Sequence, residues 1–406
     1  MRRISPWAAL SIITAAELMA MSLWFGVSAV TPTLAHLWHL SAGTAVGLTS
    51  SVQLGFVAGA LTIASLGLAD RLPPRRLLAL AAVVAAAANG AFILLGRIPD
   101  WGLALRFLTG AALAGVYPVA VQLVAAWFPS RRGLAVGILI GGLTVGSALP
   151  RLMQGMAAFR QWQTLLIGAS ILALLGSWMI MAILPDSPQP FKPPPFRWGV
   201  VGEVLRDRPV MLANAGYFGH MWELYAMWAW LPAFFAAGWS RWWHGSTLTL
   251  AAAGASFAAI GAAGAAGALL GGWAADRWGR TVATVGALAL SGACAASIGL
   301  TFGAAPGITL AVALIWGLSV VADSAQFSTA VTELSAPSRL GSALTFQMAV
   351  GFLITVASID LIGWLAGYVG WSWAFLALVP GPLAGIAAMT VLRRRPEAVR
   401  MAHGRR

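Results

Sequence analysis

The chain has 406 residues, of which 59% are hydrophobic and 9% are charged, and its formal net charge is +13. A typical soluble domain is about 25% charged, so a chain this apolar lacks the polar groups to cover its surface in water. The 25 basic residues stand in short clusters between apolar runs and form no domain-sized basic face. The composition excludes an ordinary soluble protein, argues against nucleic-acid binding, and predicts a protein whose solvent is the lipid bilayer.

A helix that crosses the bilayer needs about 20 apolar residues, and the chain contains twelve such runs. The first run follows the basic start "MRRISPWAAL" and is too long for a signal peptide, so we expect it to stay as a spanning helix. The sequence therefore predicts an all-α membrane protein. In chain order the runs are 7–30, 44–68, 77–96, 101–127, 133–156, 162–184, 209–237, 247–273, 282–302, 307–330, 342–368 and 371–392.

The Pro-rich, polar segment 185–208 separates six of these runs from the other six. This division predicts twelve transmembrane helices in two six-helix halves. The predicted domains are an N-terminal half (1–185), a cytoplasmic central loop (186–208), a C-terminal half (209–395) and a cytoplasmic tail (396–406).

The basic residues predict the orientation, because cytoplasmic loops carry an excess of Lys and Arg. With a cytoplasmic N-terminus, Arg97, Arg160 and Arg241 fall on the opposite face, and Arg106 and Arg151 fall inside spans. The other 20 of the 25 basic residues then share the cytoplasmic side. We expect a multi-pass protein of the inner cell membrane with both termini in the cytoplasm.

Two loops repeat at an interval of half the chain. Residues 67–76 read "GLADRLPPRR" and residues 271–280 read "GGWAADRWGR", so that Asp70 and Asp276 are 206 residues apart. Glycine in such a turn lets two helices approach closely, and the aspartate can accept from the N-terminal N–H groups of a neighbouring helix. An internal repeat of this size is typical of secondary transporters, whose halves enclose a site at mid-membrane.

With its twelve spans, central loop and repeated loop motif, the sequence resembles the major facilitator superfamily over essentially its whole length. The family's loop motif is roughly Gly-x-x-x-Asp-Arg-x-Gly-Arg, and the second copy matches it fully. In the first copy, Gly67 is one position too close to Asp70, and Pro73-Pro74 replace Gly-Arg. The resemblance implies the twelve-helix fold of that family and a conformational latch formed by Asp70, Arg71, Gly272, Asp276, Arg277, Gly279 and Arg280.

The fourth and fifth spans carry further family-like features. The fourth, from Arg106 to Gly115, resembles the family's arginine-containing motif, which is often tied to proton coupling. The fifth, "GLAVGILIGGLTVGSALPR", has glycines at a spacing that lets helix backbones approach closely, but it lacks the Gly-Pro-x-x-Gly-Gly core of the antiporter motif. The Gly/Asn-rich signatures of nitrate transporters are also missing, so no subgroup is assigned.

Seven residues that can carry a charge lie within the predicted spans. Such residues cost a few kcal/mol each at mid-membrane and usually face the bundle interior or a water-filled cavity, which makes them functional candidates. They are Glu17, Arg106, Arg151, His220, Glu223, Asp323 and Asp360.

The seventh span contains the stretch "HMWELYAMWAW", which begins at His220. His220, Glu223 and Met227 share one helical face. Histidine changes its charge near neutral pH, so a His-Glu pair on one face suits a proton relay. The alternative is that the two side chains bond to each other and only fix helix packing.

The resemblance implies that the first, fourth, seventh and tenth helices are central, and all four carry a charged residue. We predict proton coupling by Glu17, His220, Glu223 and Asp323, and substrate binding by Arg151, Arg106, Trp24, Tyr117 and Gln347. Arginine offers a planar fork of donors for a carboxylate or an inorganic anion. A permanent salt bridge to Asp323, Asp360 or Glu223 is the alternative for Arg151, and an ion pair with Arg106 or Arg151 is the alternative for Asp323.

These observations favour a proton-coupled secondary transporter of a small organic or inorganic anion. The alternative is a multidrug/proton antiporter for lipophilic compounds, since 20 Trp and 17 Phe would suit cation–π binding. No His-Glu-x-x-His or Gly-x-Ser-x-Gly motif indicates an enzyme. We expect no metal or other cofactor, a small-molecule substrate, protons and the lipid bilayer as partners, and a monomer; the single cysteine, Cys294, allows no disulfide within the chain.

Overall fold

The computed structural model describes residues 4–128, 132–186 and 196–405, and in these ranges the regular structure is helical, with no β-strand. The side chains of Ala69, Asp70, Arg132 and His403 lie outside the described part. The first nine helices are α1 (Pro6–Met21), α2 (Gly26–Trp38), α3 (Ala42–Ser65), α4 (Leu68–Arg71), α5 (Pro74–Leu95), α6 (Pro99–Leu113), α7 (Tyr117–Trp127), α8 (Arg132–Gly155) and α9 (Trp162–Ala182).

The second part of the chain is built in the same way. A π-helical segment, Phe257–Ala263, precedes the fourth of its helices, and a 3₁₀ segment, Pro396–Gly404, follows the last. The helices are α10 (Trp198–Arg206), α11 (Arg208–Trp239), α12 (Gly245–Ser256), α13 (Gly264–Trp278), α14 (Arg280–Ser297), α15 (Pro306–Ala322), α16 (Ser324–Leu334), α17 (Leu340–Tyr368), α18 (Trp371–Ala374) and α19 (Pro380–Arg393).

Local sequence explains where several helices begin. Proline stands in the first turn of α1, α5, α6, α7, α11, α15 and α19, where its missing N–H costs no hydrogen bond and its fixed φ suits the helix. Ser5 and Ser41 cap α1 and α3, and each side chain accepts a backbone N–H at 3.1 Å.

Eleven helical stretches of the described chain are long and apolar enough to span a membrane, and five of them contain two successive α-helices. They include Pro6–Trp38 and Pro306–Leu334. A twelfth predicted span, 209–237, coincides with α11, whose 32 residues measure about 48 Å. Its His, Glu, Asn, Trp and Tyr residues lower its mean hydropathy, so it is not one of the eleven. The predicted all-α membrane architecture is confirmed.

The chain divides into two compact units. The first comprises Met1–Pro193 and Trp243–Phe257, and the second comprises Pro194–Trp242 and Ala258–Arg406. The division at Pro193 falls inside the predicted central loop, 186–208. The helix α12 belongs to the first unit, where it packs on α8; a Cβ at Gly155 would lie 3.1 Å from that of Ala253.

The two units share one helix-packing arrangement, which extends the repeat seen in the sequence. A Cβ at Gly110 of α6 would lie 2.0 Å from the carbonyl oxygen of Val52 in α3, so only glycine fits there. In the second unit, a Cβ at Gly317 of α15 would lie 1.8 Å from the carbonyl oxygen of Ala259. Both members of the second contact follow those of the first by 207 residues. The repeat therefore includes the crossing of equivalent helices.

Candidate functional site

In the first unit, the first span is interrupted at residues 22–25, between α1 and α2. The fully buried Arg106 of α6 donates to the carbonyl oxygens of Leu23 (3.2 Å), Trp24 (2.6 Å) and Leu48 (3.3 Å). An interrupted helix leaves carbonyl groups without intrahelical partners, and the guanidinium supplies donors to two of them. Arg106 thus ties the interruption to α3 and α6, and its predicted contact with substrate stays a prediction.

Arg151 has far fewer partners than Arg106. Its side chain is 7% exposed, and its Nη1 donates to the carbonyl oxygen of Ala29 in α2 over 3.4 Å. Its Nε has no hydrogen-bond partner, and the ion pairs of the described residues do not include Arg151. In the described part of the first unit, Arg151 therefore has no acidic partner, and its planar fork keeps donors for a ligand. A salt bridge to an acid of the second unit stays an alternative.

Glu17 lies on α1 with no exposed surface, and neither of its carboxylate oxygens has a hydrogen-bond partner. The helix α7, which begins at the half-buried Tyr117, packs against α1. The ring of Trp24 meets the ring of Phe56 in α3, with centroids 5.0 Å apart. The predicted roles of Glu17, Trp24 and Tyr117 stay predictions.

In the second unit, Glu223 is fully buried and well bonded. It accepts from the Ser291 hydroxyl at 2.8 Å and from the Trp316 indole N–H at 2.6 Å. The alternative in which His220 and Glu223 bond to each other is wrong, because Glu223 turns to α14 and α15. Sequence reasoning missed both donors; the only signal was a hydroxyl within the apolar run of α14.

His220 pairs with the junction between α15 and α16. Its Nδ1 lies 2.9 Å from the Oδ1 of Asp323, and its Nε2 lies 2.9 Å from the Ser324 hydroxyl. The contact with Asp323 has the distance of an ion pair but not the angle of a hydrogen bond. Asp323, for which an ion pair with an arginine was considered, is therefore engaged by His220.

The acids of the first and seventh spans are counterparts in the repeat. Glu17 and Glu223 are 206 residues apart, which is the offset of the two loop motifs. By this offset Ser291, one of the two donors to Glu223, corresponds to Ala85, which has no polar side chain. The repeat thus provides one carboxylate with partners and leaves the other without them.

The amide of Gln347 is also engaged within the second unit. Its Nε2 donates to the Asn214 side-chain oxygen at 3.0 Å, and its Oε1 accepts from the Ser328 hydroxyl at 3.0 Å. This network joins α11, α16 and α17. The predicted role of Gln347 in substrate binding stays a prediction, while the fully buried Gln53 of α3 has no partner for either amide atom.

The second copy of the predicted latch is built around Arg280. Its Nη1 lies 3.0 Å from the Oδ1 of Asp276 and 2.9 Å from the Oε1 of Gln326, and its Nη2 lies 3.3 Å from the Oε1 of Glu333. Gly279 has φ +96°, a conformation that favours glycine and ends α13. These contacts join α13, α14 and α16. Glu333 and Gln326 were not predicted from the loop motif.

The remaining latch residues are less constrained. Arg71 and Arg277 are exposed, and a Cβ at Gly272 would meet nothing within 4 Å. The side chain of Asp70 lies outside the described part. Arg75, from the same loop, donates to the Leu184 carbonyl at 2.5 Å. The latch role of this loop stays a prediction.

Comparison with known proteins assigns the family. The family model described as Major Facilitator Superfamily matches residues 12–353. The chain belongs to this superfamily. The probable transporter SCO4007 of Streptomyces coelicolor is 29% identical over 358 residues, which cover 86% of this chain and 79% of that protein.

Other relatives match over shorter segments or in fold alone. The putative uncharacterized transporter YgaY of Escherichia coli is 34% identical over 163 residues, 39% of each chain, and the 4-hydroxybenzoate transporter PcaK of Pseudomonas putida is 31% identical over 163 residues, 39% of this chain and 35% of PcaK. The match therefore spans about two fifths of YgaY. The solved D-xylose-proton symporter has a TM-score of 0.73 at 16% identity, covering 97% of this chain and 98% of that one.

Proposed function

We propose that this protein is a proton-coupled secondary transporter of a small anion that works by alternating access of its two halves. The family supports transport of a small molecule. Among the similar proteins, one is named as a proton symporter, and another is named for 4-hydroxybenzoate, a carboxylate. Neither name assigns a substrate to this chain. The buried positive charges are what favour an anion.

The observation that carries the proposal is a surplus of buried positive charge in the first unit. Arg106 and Arg151 are both at least nine-tenths buried, and neither makes an ion pair among the described residues. An uncompensated charge within a span costs a few kcal/mol or more. An anionic solute would neutralise part of this charge, and Arg151 still has donors for it.

For proton coupling, Glu17 is the first residue to test among the four predicted acids and bases. Its buried carboxylate has no hydrogen-bond partner, and a buried carboxylate without partners favours its neutral form. Proton binding there would change the charge of the first unit by one. Glu223, His220 and Asp323 remain candidates, although each already has polar partners.

The test is transport in proteoliposomes with an acidic exterior, with labelled benzoate, 4-hydroxybenzoate and nitrate as probes. We expect uptake of a probe anion that a protonophore abolishes. Glu17→Gln should retain exchange of labelled for unlabelled anion and lose accumulation driven by the pH gradient. The exposed Glu203 provides the matched control, because Glu203→Gln should keep both activities. Gradient-driven accumulation by Glu17→Gln at the wild-type level would remove Glu17 from coupling.

The second candidate function is antiport of lipophilic cations against protons. The buried Glu17 carboxylate has no hydrogen-bond partner in the described part of the chain, and in the same span the ring of Trp24 meets that of Phe56. Aromatic rings attract cations. Exchange of tetraphenylphosphonium that survives Arg151→Gln and fails in Glu17→Gln would favour this function over anion transport.

A further inference from the structure

The start of α2 presents backbone N–H groups without acceptors. The first helical hydrogen bond of α2 runs from Ala29 N–H to the Phe25 carbonyl at 2.9 Å. No acceptor is found among the described residues for the N–H groups of Gly26, Val27 and Ser28, and no side chain caps this end. All three residues are buried. Orphan donors at a buried helix end need a partner, and the helix dipole favours a negative one.

Two buried side chains with unused polar atoms border the same turn. Arg151 donates to the carbonyl oxygen of Ala29, and its Nε is unpartnered. Gln53 follows Thr49 by one turn of α3, and the Thr49 hydroxyl lies 2.7 Å from that of Ser28. Both amide atoms of Gln53 are buried and unpartnered. Buried side chains with unused polar atoms, one on α3 and one on α8, thus lie beside the first turn of α2.

Arg106 explains how the chain maintains this interruption. By bonding to the carbonyl oxygens of Leu23 and Trp24, it occupies the acceptors that the N–H groups of Val27 and Ser28 would use in a continuous helix. The carbonyl side of the interruption is therefore satisfied from within the protein. The N–H side is left open for a ligand.

We propose that the first turn of α2, with Arg151 and Gln53, binds the carboxylate group of the transported solute. A carboxylate has two acceptor oxygens in one plane, which match the fork of Arg151 and the orphan N–H groups. The ring of Trp24, two residues before this turn, meets the ring of Phe56 at 5.0 Å, and the two provide an apolar surface for the rest of the molecule. The ligand class is a small monocarboxylate with an apolar or aromatic body. This inference rests on the proposed anion transport and specifies its site.

The test measures protection of the detergent-purified full chain against thermal unfolding by benzoate, with nitrate in parallel. The key variant is Gln53→Leu, which removes an amide that has no partner in the protein. We expect this variant to unfold at the wild-type temperature or above, because no hydrogen bond within the protein is lost. It should need about tenfold more benzoate for the same protection, because a hydrogen bond to a charged ligand is lost.

Asn89→Leu is the matched control in the same unit. The Asn89 amide donates to the Leu166 carbonyl at 3.1 Å and to the Ser170 hydroxyl at 3.0 Å. Its removal should lower the unfolding temperature and leave the benzoate concentration for half-maximal protection unchanged. Arg151→Gln is the second test variant and should abolish protection by benzoate.

The outcomes separate this site from the proposed function. If benzoate protects wild type and Gln53→Leu at the same concentrations, the site is overturned while anion transport stands. If nitrate protects as well as benzoate, the commitment to a carboxylate with an apolar body is overturned. If no anion protects wild type and none is taken up by proteoliposomes, the proposed function fails and this site fails with it.

Discussion

The contacts of Arg106 at the interruption of the first span predict how much stability Arg106→Met loses. Methionine keeps an unbranched, apolar side chain in the buried space but leaves the carbonyl groups of Leu23, Trp24 and Leu48 without their donor. Each unsatisfied buried group costs about 1–3 kcal/mol, and removal of the buried charge recovers part of that sum. We expect a net destabilisation of about 3–5 kcal/mol.

For a folding unit of about 200 residues, each kcal/mol corresponds to about 2–4 °C. Arg106→Met should therefore lower the unfolding temperature of the detergent-purified protein by at least about 6 °C. The control is Arg97→Met, because the Arg97 side chain is exposed and makes no hydrogen bond or ion pair with the described residues. That change should cost less than about 1 kcal/mol. Equal shifts for the two variants would refute the argument that Arg106 stabilises the interruption, and would favour its predicted contact with substrate.

Two further predictions concern the glycine crossing and the second loop motif. Gly110→Ala should lower the unfolding temperature, since its Cβ would lie 2.0 Å from a backbone oxygen and overpacking costs about 1–3 kcal/mol or more. A Cβ at the control position Gly90 would meet nothing within 4 Å, so Gly90→Ala should leave the unfolding temperature unchanged or raise it. Equal decreases for the two variants would contradict the close helix crossing at Gly110. Arg280→Gln should slow transport in proteoliposomes severalfold, because its three side-chain acceptors join α13, α14 and α16. The exposed Arg277, changed to Gln, should transport at the wild-type rate, and an equal effect of both changes would rule out a specific latch role for Arg280.

The extent of the spans was readable from the sequence, but their interruptions were not. Apolar runs and basic clusters reveal where a chain enters and leaves the bilayer, because the cost of burying charge there is large. Residues 22–25 are as apolar as their neighbours, so no local signal marks the end of α1 at Met21. The interruption is coupled to a side chain more than 80 positions away, Arg106, whose donors reach the carbonyl groups of Leu23 and Trp24.

Helical spacing identified polar residues of the seventh span but not their partners. The spacing of three between His220 and Glu223 places them on one face, about 60° apart around the helix axis. That angle is wide enough for each to meet a different neighbour: His220 meets Asp323, and Glu223 meets Trp316. Which helices pack against α11, and at what height, depends on the three-dimensional arrangement and not on the spacing within α11.

The repeat explains why the two units, built alike, are not equivalent in chemistry. The offset that relates Glu17 to Glu223 also relates Tyr117 to Asp323, and each of this second pair stands at the junction of the two helices in the fourth span of its own half. In the second unit, hydroxyl, indole and imidazole groups engage these acids. In the first unit, Ala85 stands at the position that corresponds to Ser291, and Glu17 has no hydrogen-bond partner among the described residues. A duplicated scaffold tolerates buried charge in both halves. Only in the half with unpartnered groups, however, does the binding of a solute or a proton add stabilising contacts. We therefore expect substitutions of the hydrogen-bonded groups in the second unit to affect mainly the stability of the protein. Substitutions of the unpartnered groups in the first unit should affect mainly the binding of a ligand.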